Sequence, residues 1–254
     1  MIYLKKPDLL FIKPLKTAST SVEIALSCNA TPEDIVTPIS LNYELLRLEK
    51  NGQLPVNYAL DRKSERRYRR RIQMLAKLHA RFPRVSLERF NGILKLICRG
   101  GGKRLFYNHI KPTEIVRRTS EAFLQHSFVV TMCRHPYEVL VSRVYWERWK
   151  KDRISAFDVG SAVDAMLENE PLNLDYYFYK GEYIPDFVIK YETLLDNLLE
   201  LEKRFGLKLT DNLPFTKNKV RTEKKPAREV LTDRQKAVCY EKNKPIFEKF
   251  GYEK

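Results

Sequence analysis

The stretch "FIKPLKTASTSVEIALS", residues 11–27, joins an apolar run to a helix-like run through a loop of lysine and hydroxyl side chains. The overlapping "LLFI" has the composition of a strand buried on both faces, and Val22, Ile24, Ala25 and Leu26 suit the inner side of a helix. A strand-to-helix junction offers backbone N–H groups without intrahelical acceptors, and the helix dipole adds partial positive charge there. Lys16 adds a mobile cation; Thr17, Ser19, Thr20 and Ser21 add hydroxyl donors. That set suits a terminal phosphate or sulfate group. The plainer alternative is an ordinary N-cap beside a surface lysine.

A nucleotide-triphosphate loop reads G-x-x-x-x-G-K-[ST], and residues 11–21 contain no glycine. The later "GGGKR" fails too, because Ile97 stands where the first glycine belongs and Arg104 replaces the Ser or Thr. A P-loop kinase is therefore weakly supported, and magnesium-dependent ATP turnover would be its mark. A second segment, "VVTMCRHPYEVLVSRVYWE", places Arg134 at the end of an apolar run and Ser142 eight residues later on the helix that follows.

"FIKPLKTASTS" resembles the 5′-phosphosulfate loop of sulfotransferases that use 3′-phosphoadenosine 5′-phosphosulfate (PAPS), a loop close to F-I-H-I-P-K-T-A-G-T-S. "CRHPYEVLVSRVYW" resembles the same family's 3′-phosphate motif, R-[DN]-P-x-x-R-x-x-S-x-x. "FVIKYETLLDNLLELEKRFGL" and the closing "FGY" are similar to that family's C-terminal third, leaving residues 28–104 unmatched. The resemblance implies a P-loop-like three-layer α/β fold with a central parallel sheet flanked by helices. It also implies PAPS as sulfate donor; no metal is required, since the loop N–H groups and Lys16 can cover the charge.

Taken position by position, the resemblance puts Lys16 on the bridging oxygen between phosphate and sulfate. Thr17, Thr20 and Ser21 become donors to the 5′-phosphate, with Ser19 in place of the usual glycine. Arg134 and Ser142 become the pair on the 3′-phosphate, which an arginine can meet with two parallel N–H bonds. Lys219 and Arg221, with Lys217 and Lys225, fall where relatives fold a basic loop over the nucleotide. Lys13 replaces the usual His, His135 the usual Asp or Asn, and Val139 a common Arg. A side chain at position 19 is expected to restrict the loop backbone.

Sulfuryl transfer needs an in-line acceptor hydroxyl, a base for its proton and positive charge on the leaving phosphate. "LFYNHIKPTEI" resembles the Y-H-G-H segment of glycan 2-O-sulfotransferases, whose second histidine is the base and falls on His109. The alternative for His109 is a hydrogen bond to a nearby carbonyl. Glu23 is the rival base, since some relatives use a carboxylate on or near the first helix, and Glu114 is a third choice. His79 reads as a core-edge residue and His126 as the start of a strand.

The elements that must position these residues follow from periodicity and punctuation. Helices are expected at "LNYELLRLEK", over Asp61–Phe82 with Tyr68, Ile72, Leu75, His79 and Phe82 on one face, and over Ser86–Cys98. "RGGGKR" then breaks the chain and "LFYNHI" reads as extended. Helices from Pro112 and Pro136 flank an apolar strand at 126–133, and a third strand spans 183–192. Leu194–Phe205 is a helix closed by Gly206, and a last helix starts near Thr232 and breaks at Pro245. This alternation predicts one domain over residues 1–254, with a parallel sheet of about five strands and a basic helical insertion at about 28–104.

The 47 Lys and Arg against 32 Asp and Glu, a net charge of +15, point to an anionic partner. The arginines at 62, 66, 67, 69, 70 and 71 form either a solvated helix face or a trough for an acidic polymer. The trough carries the second functional class, a non-catalytic nucleic-acid or polyanion-binding protein, although aromatics do not interleave with the basic run. Four scattered cysteines without a C-x-x-C pair predict reduced thiols. No run approaches the roughly 20 apolar residues of a membrane span, and the expected location is cytoplasmic. The acceptor expected from the resemblance is a hydroxyl on a carbohydrate or glycolipid.

Overall fold

A computed structural model describes residues 1–97, 103–151, 157–168, 172–214 and 225–254. β1 (Ile2–Leu4) pairs antiparallel with β2 (Leu9–Phe11), and β3 (Ile35–Val36) pairs antiparallel with the other edge of β1. β4 (Phe128–Cys133) lies parallel to β2, with Leu9 opposite Phe128 and Phe11 opposite Val130. β5 (Phe178–Tyr179) and β6 (Glu182–Tyr183) form a separate hairpin, and β7 (Phe187–Lys190) adds parallel to β4. The sheet order is β3–β1–β2–β4–β7.

The sheet is thus mixed, which corrects the expectation of a parallel one. Only Lys5–Asp8 separates β1 from β2, too few residues for a crossover, so the chain can only turn back antiparallel.

Helices cover both faces. Leu9, Phe11, Val130 and Met132 pack with α1 (Ser19–Ser27), whose nine residues are all buried. The alternate residues Leu10, Ile12 and Val129 point the other way, toward Tyr58, Phe106 and Ile110. Residues 28–104 hold β3 as well as α2 (Leu41–Glu49), α3 (Arg62–Arg81) and α4 (Leu87–Ile97), which share their own apolar cluster. α5 (Pro112–Arg118) and α6 (Glu121–His126) join the second face through Ile115 and Leu124. α7 (Pro136–Lys151) and α8 (Val159–Leu167) build a further cluster. α9 (Leu194–Phe205), ended by Gly206 at φ 67°, packs with α1 on the first face. α10 (Ala227–Val230) and α11 (Asp233–Phe250) complete the α7 cluster.

Several local expectations change. "LFYNHI" is not a strand, because the N–H groups of Leu105 and Phe106 both donate to the carbonyl of Tyr58 and the chain then turns at His109, φ 57°. His126 closes α6, its Nδ1 bonded to the Ala122 carbonyl, and the strand starts two residues later. Phe82 ends α3 exposed to solvent, not on its buried face. Cys28, Cys133 and Cys239 are free thiols, and Cys98 lies outside the described residues. Among the described residues no helix is long and apolar enough to cross a membrane.

Candidate active site

The three parallel strands β2, β4 and β7 end side by side, and the residues that follow them meet there. After β2 comes the loop to α1. Lys16 and Ala18 both adopt left-handed backbone (φ 62° and 64°), and Ala18 caps α1 without any side-chain hydrogen bond. The hydroxyl-rich stretch is therefore not an ordinary side-chain N-cap. Ser19 is helical, so its Cβ meets no backbone conflict; its Oγ donates to the Pro14 carbonyl at 2.9 Å and ties the loop to itself. Thr20 and Ser21 lie buried in the first turn of α1.

The Thr17 hydroxyl is fully buried and unpartnered. Buried hydroxyls nearly always find a partner, and one left open beside a helix N-terminus is a natural donor for an anion. Lys16 Nζ lies 4.6 Å from the ring centre of Trp146, which stacks on Trp149 at 5.1 Å.

After β4 comes Arg134. Its Nη2 donates to Glu138 at 3.0 Å, and its guanidinium sits 4.4 Å from the ring centre of Tyr191, which follows β7. Its Nε is buried without a partner. Ser142 lies half-buried on the second turn of α7. His135 fills its position with structural bonds: its N–H donates to Glu192, and its ring bonds the Glu253 carbonyl. Val139 is buried apolar core. Lys219 and Arg221 lie outside the described residues.

His109 reaches the loop from the α5 side. Its Nδ1 donates to the Lys13 carbonyl at 3.0 Å, which leaves Nε2 as the nitrogen with a lone pair. Burial, and then the nearby Lys13 charge, pull its pKa down to about 3. Next to it, Asn108 keeps a buried, unpartnered Oδ1.

Glu23 is placed differently from a solvent-facing base. It is fully buried, 2.6 Å from Lys13 Nζ, 3.1 Å from the α-amino group of Met1 and 3.8 Å from Arg47. Burial alone would raise its pKa, but these three cations outweigh it and hold the carboxyl well below the usual range. Glu114 pairs with Arg117 and Arg118 on its own helix.

Sequence reasoning missed one segment. Asn173 Oδ1 accepts from the Leu15 N–H at 2.9 Å, and its Nδ2 donates to the Leu15 carbonyl at 2.8 Å. Three residues on, the Tyr176 hydroxyl donates to the His109 carbonyl at 3.0 Å. The only signal was an Asn in a turn-like run, which says nothing of its partner. A cavity of about 340 Å³ lies elsewhere, between α6 and the β5–β6 hairpin, and none of the candidate residues lines it. Compared with family models, curated proteins and solved structures, the chain gives no match.

Proposed function

We propose that this chain is a PAPS-dependent sulfotransferase on a P-loop-like α/β fold, moving a sulfuryl group to a hydroxyl of a carbohydrate or glycolipid. One observation supports it above the others. Two buried, unpartnered donors, Thr17 Oγ1 and Arg134 Nε, follow adjacent parallel strands at the carboxyl edge of the sheet. That edge is where open α/β sheets bind ligands, and two orphaned donors there call for anionic acceptors.

In this reading the loop N–H groups and Thr17 hold the 5′-phosphate, and Arg134 with Ser142 holds the 3′-phosphate. Lys16 leaves the Trp146 face to stabilise the bridging oxygen as the sulfur–oxygen bond breaks. His109 takes the acceptor proton through Nε2. An imidazole whose conjugate acid has a pKa of about 3 is a weak base, but an anionic donor bound alongside favours the protonated form and raises that pKa. Glu23 serves the fold.

The test compares thermal stabilisation by 3′-phosphoadenosine 5′-phosphate with that by ADP and AMP. At about 100 times Kd the first should add about 2.7 kcal/mol. Arg134→Ala should remove its advantage over ADP while the chain stays folded. Equal stabilisation by all three nucleotides in the wild type rejects the reading.

A further inference from the structure

We propose that the outward face of α3 docks on an anionic lipid bilayer, a role independent of the sulfuryl-transfer reading. Arg62, Lys63, Arg66, Arg70, Lys77 and Arg81 are all exposed. At about 100° per residue they share about a third of the helix circumference, a stripe about 30 Å long. Arg84 extends it past the helix end.

Nothing acidic interrupts the stripe. The one acidic residue of α3, Glu65, is buried and accepts the N–H groups of Asn57 and Ala59. Asp61, just before the helix, caps it through the N–H groups of Lys63 and Ser64. No described acidic group forms an ion pair with any of the six cations. A face kept only for solubility mixes both signs, whereas like charges in a row repel until an anionic surface meets them.

The choice of partner rests on what accompanies the charge. Met74 is 40% exposed along the border of the stripe, Phe82 46% past the helix end and Ile93 50% on the adjoining α4. Apolar side chains among cations gain from the boundary between headgroups and acyl chains. A nucleic acid would want stacking aromatics interleaved with the cations, but Tyr68, the aromatic inside the run, is half-buried with its hydroxyl on Glu44, and Phe82 lies past the helix end with the Arg81 guanidinium over its ring. A linear polysaccharide would want neutral hydrogen-bonding groups, and among the exposed residues of α3 only Gln73 is one.

The experiment is cosedimentation of the full chain with phosphatidylcholine vesicles containing about 30 mol% phosphatidylserine, at about 0.1 M salt. Pure phosphatidylcholine vesicles and a single-stranded oligouridine are the comparison arms. The expected result is binding to the charged vesicles alone, released at about 0.5 M salt. Replacing Arg66, Arg70 and Lys77 together by Gln should weaken it about a hundredfold. Met74→Ser should weaken it severalfold with thermal melting unchanged, which guards against a triple variant that fails to fold. No binding to charged vesicles, wild-type binding by a folded triple variant, or tighter binding to oligouridine each overturns the proposal. Melting with 3′-phosphoadenosine 5′-phosphate judges the nucleotide reading separately, since none of these side chains lies in that site.

Discussion

Nδ1 of His109 sits 3.0 Å from the carbonyl oxygen of Lys13, a residue 96 positions away in the chain. The same Lys13 sends its Nζ 2.6 Å to Glu23. One residue at the mouth of the loop therefore fixes the tautomer of the candidate base by its backbone and anchors a buried ion cluster by its side chain. Lys13 is thereby held in a fully buried pairing, its ammonium on Glu23 and its carbonyl on His109.

The pH behaviour of His109 follows from that contact. Its depressed pKa, about 3 against 6.5, means the unfolded chain binds the proton first, so its stability contribution is full above pH 6.5 and falls away toward pH 3. In turnover, the acid limb of kcat/KM reports the free protein and that of kcat the loaded one. The kcat limb should lie at the higher pH, because the bound anion raises the imidazole. His109→Ala should lose about 10²- to 10⁴-fold in kcat with nucleotide affinity unchanged. An Ala variant with wild-type kcat and both limbs in place removes His109 from the reaction.

Lys16 separates binding from chemistry. If it stabilises the bridging oxygen as proposed, its demand grows as that oxygen gains charge, so Lys16→Ala should depress kcat far more than it weakens binding of the nucleotide product. The chain has only two tryptophans, Trp146 and Trp149, and Lys16 rests on the first. Nucleotide binding should therefore change the intrinsic fluorescence of the wild type, and the change should shrink in Lys16→Ala. Near-normal kcat in that variant would discard the assignment.

Glu23→Gln tests the rival base. Removing one charge from a buried pair typically costs about 3–5 kcal/mol. The depressed pKa of Glu23 gives stability that is present above about pH 4.5 and lost as pH falls through the folded value. Urea titrations should show that loss in the wild type and its absence in Glu23→Gln. A stable but inactive Glu23→Gln would return the base to the first helix.

Much of this was legible because it is local. "LLFI" and "FVVTMC" are continuous apolar runs, and strands buried on both faces leave their loops at one sheet edge. β1 was not legible, since three residues carry no usable period and its pairing depends on a turn with Pro7 and Asp8. The orphaned Asn108 was illegible as well. Its meaning comes from the unsatisfied oxygen that tertiary packing leaves, and no spacing rule encodes that.

Asn173 holds the residue that leads into the loop's left-handed turn. It is buried in left-handed backbone, φ 61°, and both hydrogen-bonding groups of Leu15 are bound to its amide. Leu15 immediately precedes Lys16, and Lys16 and Ala18 each carry the roughly 1–2 kcal/mol cost of left-handed backbone. Such a loop holds its shape only if neighbours fix it. The neighbour is itself fixed, because the Leu172 N–H donates to Asn243, at the kink of α11, at 2.7 Å. Asn173→Ala removes two hydrogen bonds worth about 1 kcal/mol each, so nucleotide affinity should fall about tenfold or more. Asn173→Asp should do no better, since its carboxylate would face the Leu15 carbonyl. Tyr176→Phe should act on the other half of the site, lowering kcat while nucleotide affinity stays, because it frees the backbone of His109. That split between affinity and kcat is what a purely structural segment would not produce. If both variants only lower the melting temperature, with binding and kcat as in the wild type, the segment holds the fold and does not position the site.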